Sequence, residues 1–418
     1  MQSVNRKHFL DRFLHYVTYD TQSIENSETY PSTTKQLELS KRLLTELKEL
    51  GLEDVELNEH GYVFATLPSN VQHDVPVIGL IAHVDTSPDV SGKNVNPVIT
   101  ENYQGGDIVL EKDPSQVIKF EENPALKDSM GHDLITSDGT TLLGADNKAG
   151  IAEIMGALVT LQENPDIKHG KIRVAFTVDE EVGEGTKHFD VKAFGADYAY
   201  TIDGEAAGEV EDETFCADTA FVKVKGVNVH PGYAKDKLIN AVKIAADLID
   251  RLPKDSMSPE TTEKREGYLH PHGIKGNVEL AEITFLVRDF TVEGLKEKEK
   301  YLQDLCNQLS ENYTPASVSL EVKESYRNMK YKLDEHPRVV EYALQAVQQT
   351  GLEPIRNLIR GGTDGARLSY MGLPTPNIFT GGHNFHSQKE WISIQHMEKA
   401  AATIVNLVQI WAEKSQAS

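Results

Sequence analysis

The sequence predicts an α/β protein in which a mixed open sheet flanked by helices is interrupted by an inserted, ferredoxin-like α/β sandwich. Three observations predict it. Residues 75–82, VPVIGLIA, are apolar without alternation, as a central strand covered on both faces must be. Strand-like runs at KIRVAFTV (171–178) and DYAYTID (197–203) follow a helical stretch at 147–163, which is the alternation of an α/β domain. From about residue 210 the order becomes β-α-β-β-α-β, that of a split βαβ sandwich.

In chain order, Phe9, Leu10, Phe13, Leu14 and Val17 recur at helical spacing and predict an amphipathic first helix. A second helix carries Leu39, Leu43, Leu44 and Leu47 on one face and stops at Gly51. VELNEHGYVFATL reads as a hairpin turning at Asn58 to Gly61, and the buried strand at 75–82 follows. After 210, strands are expected in TAFVKVKG, GYLHPHGIKG, NVELAEITFLVRDF and ASVSLEVKE. Helices are expected in KLINAVKIAADLIDRL and VEGLKEKEKYLQDLCNQL. The α/β pattern resumes with a helix at 337–349, strands at 354–359 and 376–380, and a closing helix at 394–414. The expected division is therefore a discontinuous first domain, 1–209 and 326–418, with 210–325 inserted into it.

A chain of 418 residues exceeds one ordinary domain. A net charge of −23 opposes a phosphate backbone, so nucleic acid is not expected as a partner. No run approaches the roughly 20 apolar residues of a membrane helix. Only two cysteines, Cys216 and Cys306, stand far apart, which suits a reducing compartment and makes the cytoplasm the expected location.

Most of the 65 carboxylates read as a solvated surface, but a few sit where that reading fails. The buried strand at 75–82 runs into His83 and Asp85. The strand at 171–178 runs into Glu180 and Glu181, and the one at 197–203 ends on Asp203. GADNKAG places Asp146 just before a helix that Asp146 or Asn147 can cap. Ligands of open parallel sheets bind beyond the carboxyl ends of the strands, where these groups are delivered. So many acids at one edge repel one another unless a cation neutralises them, and imidazole with carboxylate and no cysteine suits zinc in a hydrolytic site. The number of ligands suggests two ions. NIFTGGHNFHSQKEW adds His383 and His386, either of which can serve the second.

In this order, HVDTSPD, LLGADNKAG, DEEVG, YTIDG, NVHPG, RGGTDGA and FTGG-x-N-x-H resemble the M20 family of co-catalytic zinc peptidases over essentially the whole chain. The resemblance implies two zinc ions per chain, with His83, Asp146, Glu181, Asp203 and His386 as ligands. Asp146 bridges the ions, Asp85 orients His83 and Glu180 is the general base. His386 rather than His383 follows from a His four residues before a Glu, here Glu390. Within the family the resemblance is to enzymes that release the N-terminal residue of tripeptides, as monomers or homodimers. Dipeptidases, carboxypeptidases and N-acyl amino acid hydrolases share the metal site, and a non-catalytic metal or peptide binder is the alternative of another class. The inserted domain resembles the family's lid, with His230, Arg288, Asn240 and Arg360 as candidate substrate contacts.

Overall fold

A computed structural model describes residues 4–416. It divides into two compact units. The first holds the chain up to Asp212, Met329–Leu358 and the chain from Thr363, and the second holds Glu213–Asn328 with Ile359–Gly362.

The first unit is built on an eight-stranded mixed sheet in the order Glu53–Leu57, Val63–Leu67, Ile172–Thr177, Ile78–His83, Tyr198–Gly204, Asn377–Phe379, Glu209–Thr214, Ile355–Ile359. Ile78–His83 pairs in parallel with both Ile172–Thr177 and Tyr198–Gly204, and Tyr198–Gly204 pairs in parallel with Asn377–Phe379. These four strands therefore end on the same edge. All six residues of Ile78–His83 are buried, so its unbroken apolar character reflects cover on both faces. The helix Ala145–Glu163 packs against this strand, against Arg6–Tyr16 and against the closing helix Ile394–Gln416. Buried residues all round Ala145–Glu163, among them Ile151, Ile154, Met155 and Leu158, mark it as an interior helix. In the first helix, Phe9, Phe13, Tyr16 and Val17 are buried, while Leu10 and Leu14 are only partly covered.

A smaller four-stranded sheet, Gly382–His383, Trp391–Ser393, Leu134–Thr136, Val98–Thr100, also belongs to this unit and was not expected. Nor was Glu209–Thr214, which pairs with Asn377–Phe379 in the large sheet. Its run EVEDET reads as solvated surface, yet Glu211 and Asp212 are buried. Their partners come from far along the chain: Asp212 accepts from Arg356 Nε at 2.8 Å, and Asn377 Nδ2 donates to Glu211 at 3.3 Å.

The second unit is an antiparallel sheet in the order Tyr268–Gly276, Leu280–Asp289, Cys216–Lys225, Ser317–Tyr326. Helices Ala241–Asp250 and Val292–Asn312 contribute Ile244, Leu248, Leu302 and Leu309 to a core shared with Val222, Ile283 and Phe285. Alternation along Leu280–Asp289, with Ala281, Ile283, Phe285 and Val287 buried, is what one covered face requires. Among the described residues, no helix is long and apolar enough to cross a membrane.

Candidate metal centre

The common edge of the parallel strands gathers the chemistry. His83 closes Ile78–His83, Glu180 and Glu181 follow Ile172–Thr177, and Asp203 lies at the end of Tyr198–Gly204. His386 sits in the loop joining Gly382–His383 to Trp391–Ser393. Asp146 enters at the start of its helix, but neither it nor Asn147 forms the cap that the sequence also allowed. Both have non-helical backbone angles, the cap position falls on Gly144, and no side chain caps this helix. The Asp146 side chain is turned instead toward two histidines.

Asp146 Oδ1 lies 3.0 Å from His83 Nε2, and Oδ2 lies 3.2 Å from His386 Nε2. His83 Nε2 is also 3.3 Å from Asp203 Oδ1 and 3.9 Å from Glu180 Oε2, while His386 Nε2 is 2.8 Å from Glu181 Oε2. Two overlapping groups result, each with one ligand atom per residue and all atoms within 4.8 Å: His83, Glu180 and Asp203, and His83, Asp146 and Glu181. Asp85, fully buried, meets His83 Nδ1 with its main-chain carbonyl at 3.0 Å and with its carboxylate at 3.2 Å, and the carboxylate accepts the backbone N–H groups of Glu180 and Glu181 at 3.1 and 3.2 Å. Asp85 thus orients the imidazole, by its carbonyl and its carboxylate, and with the carboxylate also holds the loop that carries both glutamates.

Backbone placement explains how Asp146 reaches this point. Buried Glu390 accepts N–H groups from Leu143, Gly144 and Asp146 at 2.8, 2.7 and 3.0 Å. Gly150 lets the helix meet the neighbouring strand, since a Cβ there would stand 2.0 Å from the Ile202 carbonyl oxygen. The end of GADNKAG is therefore a contact requirement that sets Asp146 beside Asp203.

The electrostatics are those of a site lacking positive charge. Burial pushes Glu180 well above the usual carboxyl range; His83 opposes this and Asp203 and Asp364 add to it. Burial and Asp146 push Glu181 up to about 8, and burial raises Asp203 to about 6. Hydrogen bonds to Asp146 and Glu181 lift His386 to about 11. Burial disfavours charge on His83, yet Asp203 and its hydrogen-bonded carboxylates raise its pKa well above the usual value. The carboxylates thus draw protons onto imidazoles that as metal ligands would be neutral. Glu181 Oε1 is buried with no hydrogen-bond partner. An all-oxygen-and-imidazole donor set with an orphaned buried oxygen fits metal ions in the place of those protons.

His383 stands apart from this cluster. Its ring stacks on Trp391 at 4.4 Å, burial lowers its pKa to about 4, and its Nε2 has no partner. The four other candidates all belong to the second unit. Asn240 caps Ala241–Asp250 by accepting the Val242 N–H at 2.9 Å, and His230 Nδ1 accepts from Gly232 N at 3.1 Å. Arg360 donates to the carbonyls of Lys264, Glu266 and Thr262 at 2.7, 2.8 and 3.3 Å. Arg288 Nη1 donates to the carbonyls of Asp218 and Val287, leaving its Nε and Nη2 without hydrogen-bond partners among the described residues. Glu390 acts on the site though the sequence offered it only as a spacing mark. Asp364, from RGGTDGA, lies behind Glu180 as a buried carboxylate accepting from Thr177 Oγ1 at 3.2 Å.

Comparison with known proteins agrees with this geometry. Residues 137–410 match the model of peptidase family M20/M25/M40. The chain is 50% identical over 408 residues to peptidase T of Clostridium botulinum, covering 98% of this chain and all of that one. It is 51% identical over 405 residues to peptidase T of Clostridium acetobutylicum, covering 97% and 99%. Among solved structures, a tripeptidase from Staphylococcus aureus superposes with a TM-score of 0.77 at 24% identity, covering 98% of this chain and 100% of that one. A dinuclear metal-binding M20 peptidase from Bacillus subtilis superposes at 0.66 with 14% identity, covering 98% of both.

Proposed function

This chain belongs to peptidase family M20/M25/M40, and from its 50–51% identity to two peptidases T over nearly its whole length we infer that it is a tripeptide aminopeptidase, freeing the N-terminal residue of a three-residue peptide. We assign it two zinc ions, which His83, Asp203 and Asp146 on one side and His386, Glu181 and Asp146 on the other would hold. The observation carrying this reading is Asp146, whose two oxygens each face a different imidazole. When bound, zinc supplies a Lewis acid that polarises the scissile carbonyl and lowers the pKa of the attacking water.

The chain's own residues do the rest. Glu180 accepts a proton from the attacking water as its oxygen bonds to the carbonyl carbon, and returns that proton to the amine nitrogen as the C–N bond breaks. Asp85 keeps His83 and the Glu180 loop in register for both steps. A free α-amino group suits an acidic site. Arg288, whose guanidinium keeps unused donors, is assigned the substrate's C-terminal carboxylate. The two free, buried thiols, Cys216 and Cys306, support a reducing cytoplasmic location.

The test is a panel of di-, tri- and tetrapeptides with free or blocked termini, assayed on zinc-loaded and metal-stripped protein. Tripeptides with both termini free should be cleaved fastest, and only with metal. Equal rates on N-blocked peptides would reject aminopeptidase action.

A further inference from the structure

The loop that begins at His83 carries a second carboxylate. Asp89 Oδ2 lies 3.4 Å from Nδ1 of His386, whose opposite nitrogen, Nε2, is the one turned to Glu181 and Asp146. Among the described residues this is the one ion pair of that Nδ1, which has no hydrogen-bond partner. The carboxylate placement matches that at His83, where Asp85 Oδ1 stands 3.2 Å from Nδ1, beside the Asp85 main-chain carbonyl at 3.0 Å, and Nε2 faces Asp146 and Asp203.

We propose that Asp89 is the positioning residue of His386, so that the one loop HVDTSPD orients both imidazoles of the metal centre, Asp85 from its third position and Asp89 from its end. The inference rests on the metal-centre reading above and adds a residue to it. The loop is built for this. Ser87 Oγ donates to Asp89 Oδ2 at 3.2 Å and accepts the Asp89 N–H at 3.2 Å, which fixes the carboxylate's direction. Gln22 Nε2 donates to the carbonyls of Ser87 and Val90 at 3.2 and 3.0 Å and pins the backbone on either side.

His386 has more need of such a partner than His83. It sits in a hairpin loop with φ of +59° and its side chain is 41% exposed, whereas the His83 side chain is 2% exposed and held by packing. As a bare surface ion pair, the Asp89 contact would contribute almost nothing. Its effect comes through the ring: a carboxylate on Nδ1–H fixes the tautomer that leaves the Nε2 lone pair for metal and prevents ring rotation. Loss of such a partner typically weakens metal binding by about 10- to 100-fold.

The experiment is a zinc titration against a chromophoric chelator on wild type, Asp89→Ala, Asp89→Asn and His386→Ala, with thermal melts to confirm folding. The binding step absent from His386→Ala identifies the ion at stake. Asp89→Ala should weaken that step at least tenfold and leave the other within threefold. Asp89→Asn, whose amide oxygen still accepts from Nδ1–H, should fall between Ala and wild type. In zinc-loaded wild type the Nδ1–H proton of His386 should appear in a nitrogen-correlated spectrum, and Asp89→Ala should lose it to exchange. Two unchanged steps in Asp89→Ala overturn the inference, as does equal weakening of both, which would mean general damage to the loop. Wild type that takes up no second ion would instead reject the metal-centre reading, and this inference with it.

Discussion

The buried carboxylate of Glu390 accepts the backbone N–H of Asp146 at 3.0 Å and anchors the backbone that turns the Asp146 carboxylate toward His83 and His386. With the N–H groups of Leu143 and Gly144 also on Glu390, three donors of a tight loop converge on one side chain. Leaving a buried donor unsatisfied costs about 1–3 kcal/mol each. Glu390→Ala should therefore lower unfolding stability by at least roughly 3 kcal/mol in a urea titration and, if Asp146 is shared as proposed, reduce the affinity for both metals. Normal stability with normal zinc content would remove Glu390 from the site.

Glu180→Gln should keep two zinc ions and lose nearly all turnover, because an amide of similar shape cannot accept the proton. Loss of a general base costs about 10²–10⁴ in rate, and more where the same group also returns the proton. Metal analysis and kcat on the same preparation decide it. Near-normal kcat with both metals retained would shift the role to Glu181, its neighbour in the same loop.

Zinc content should separate the two late histidines. His386→Ala should lose one of two ions, because His386 Nε2 faces Glu181 and Asp146. His383→Ala should keep both, because that ring is packed on Trp391. Chelation should abolish activity and zinc should restore it. An ion lost in His383→Ala alone would reverse the assignment.

These residues were legible to unequal degrees, for physical reasons. Ile78–His83 declared itself because a strand covered on both faces is apolar throughout, so the His and Asp at its end stood out. Glu209–Thr214 was invisible because its acids are paired with Arg356 and hydrogen-bonded by Asn357 and Asn377, 144 to 166 residues away, beyond any local window. The small sheet beside the centre was missed because its strands are two or three residues long, too short for a period to show. The convergence of carboxylates on one edge could be argued from strand ends alone. The backbone of Asp146 could not: a helix cap was open there beside a ligand role, and the actual course depends on Glu390 and on the close approach at Gly150.

Glu153 offers a test of pH dependence away from the metals. It is fully buried in Ala145–Glu163, its carboxyl oxygens have no hydrogen-bond partner, and burial raises its pKa well above the usual 4.5. The folded chain keeps this proton while the unfolded chain releases it above pH 4.5. The stabilisation is therefore complete below that value and declines as pH rises toward the folded pKa, at up to about 1.4 kcal/mol per pH unit. Glu153→Met, similar in length and apolar, should flatten the fall in stability above pH 5 and raise Tm at pH 7.5. An unchanged pH profile in urea unfolding would show that Glu153 is ionised in the fold.

Arginine substitutions should divide substrate recognition from structure. Arg360 spends its donors on the carbonyls of Thr262, Lys264 and Glu266 and lies over the Phe215 ring at 5.2 Å, so Arg360→Ala should destabilise the second unit. Arg288 uses Nη1 on two carbonyls and stands over Tyr326 at 5.7 Å, an anchorage that holds the guanidinium while Nε and Nη2 remain for a ligand. A carboxylate bound there gains charge-assisted hydrogen bonds of roughly 1.5–3 kcal/mol, or one to two decades in kcat/KM. Wild type should therefore prefer a tripeptide acid to its C-terminal amide by that margin, and Arg288→Ala should abolish the preference while leaving zinc content and Tm nearly unchanged. Equal rates on acid and amide in wild type would defeat the carboxylate anchor. A preference that survives Arg288→Ala would assign the anchor to another cation, and one lost only in Arg360→Ala together with Tm would mean that the fold of the second unit, rather than a single guanidinium, sets the selectivity.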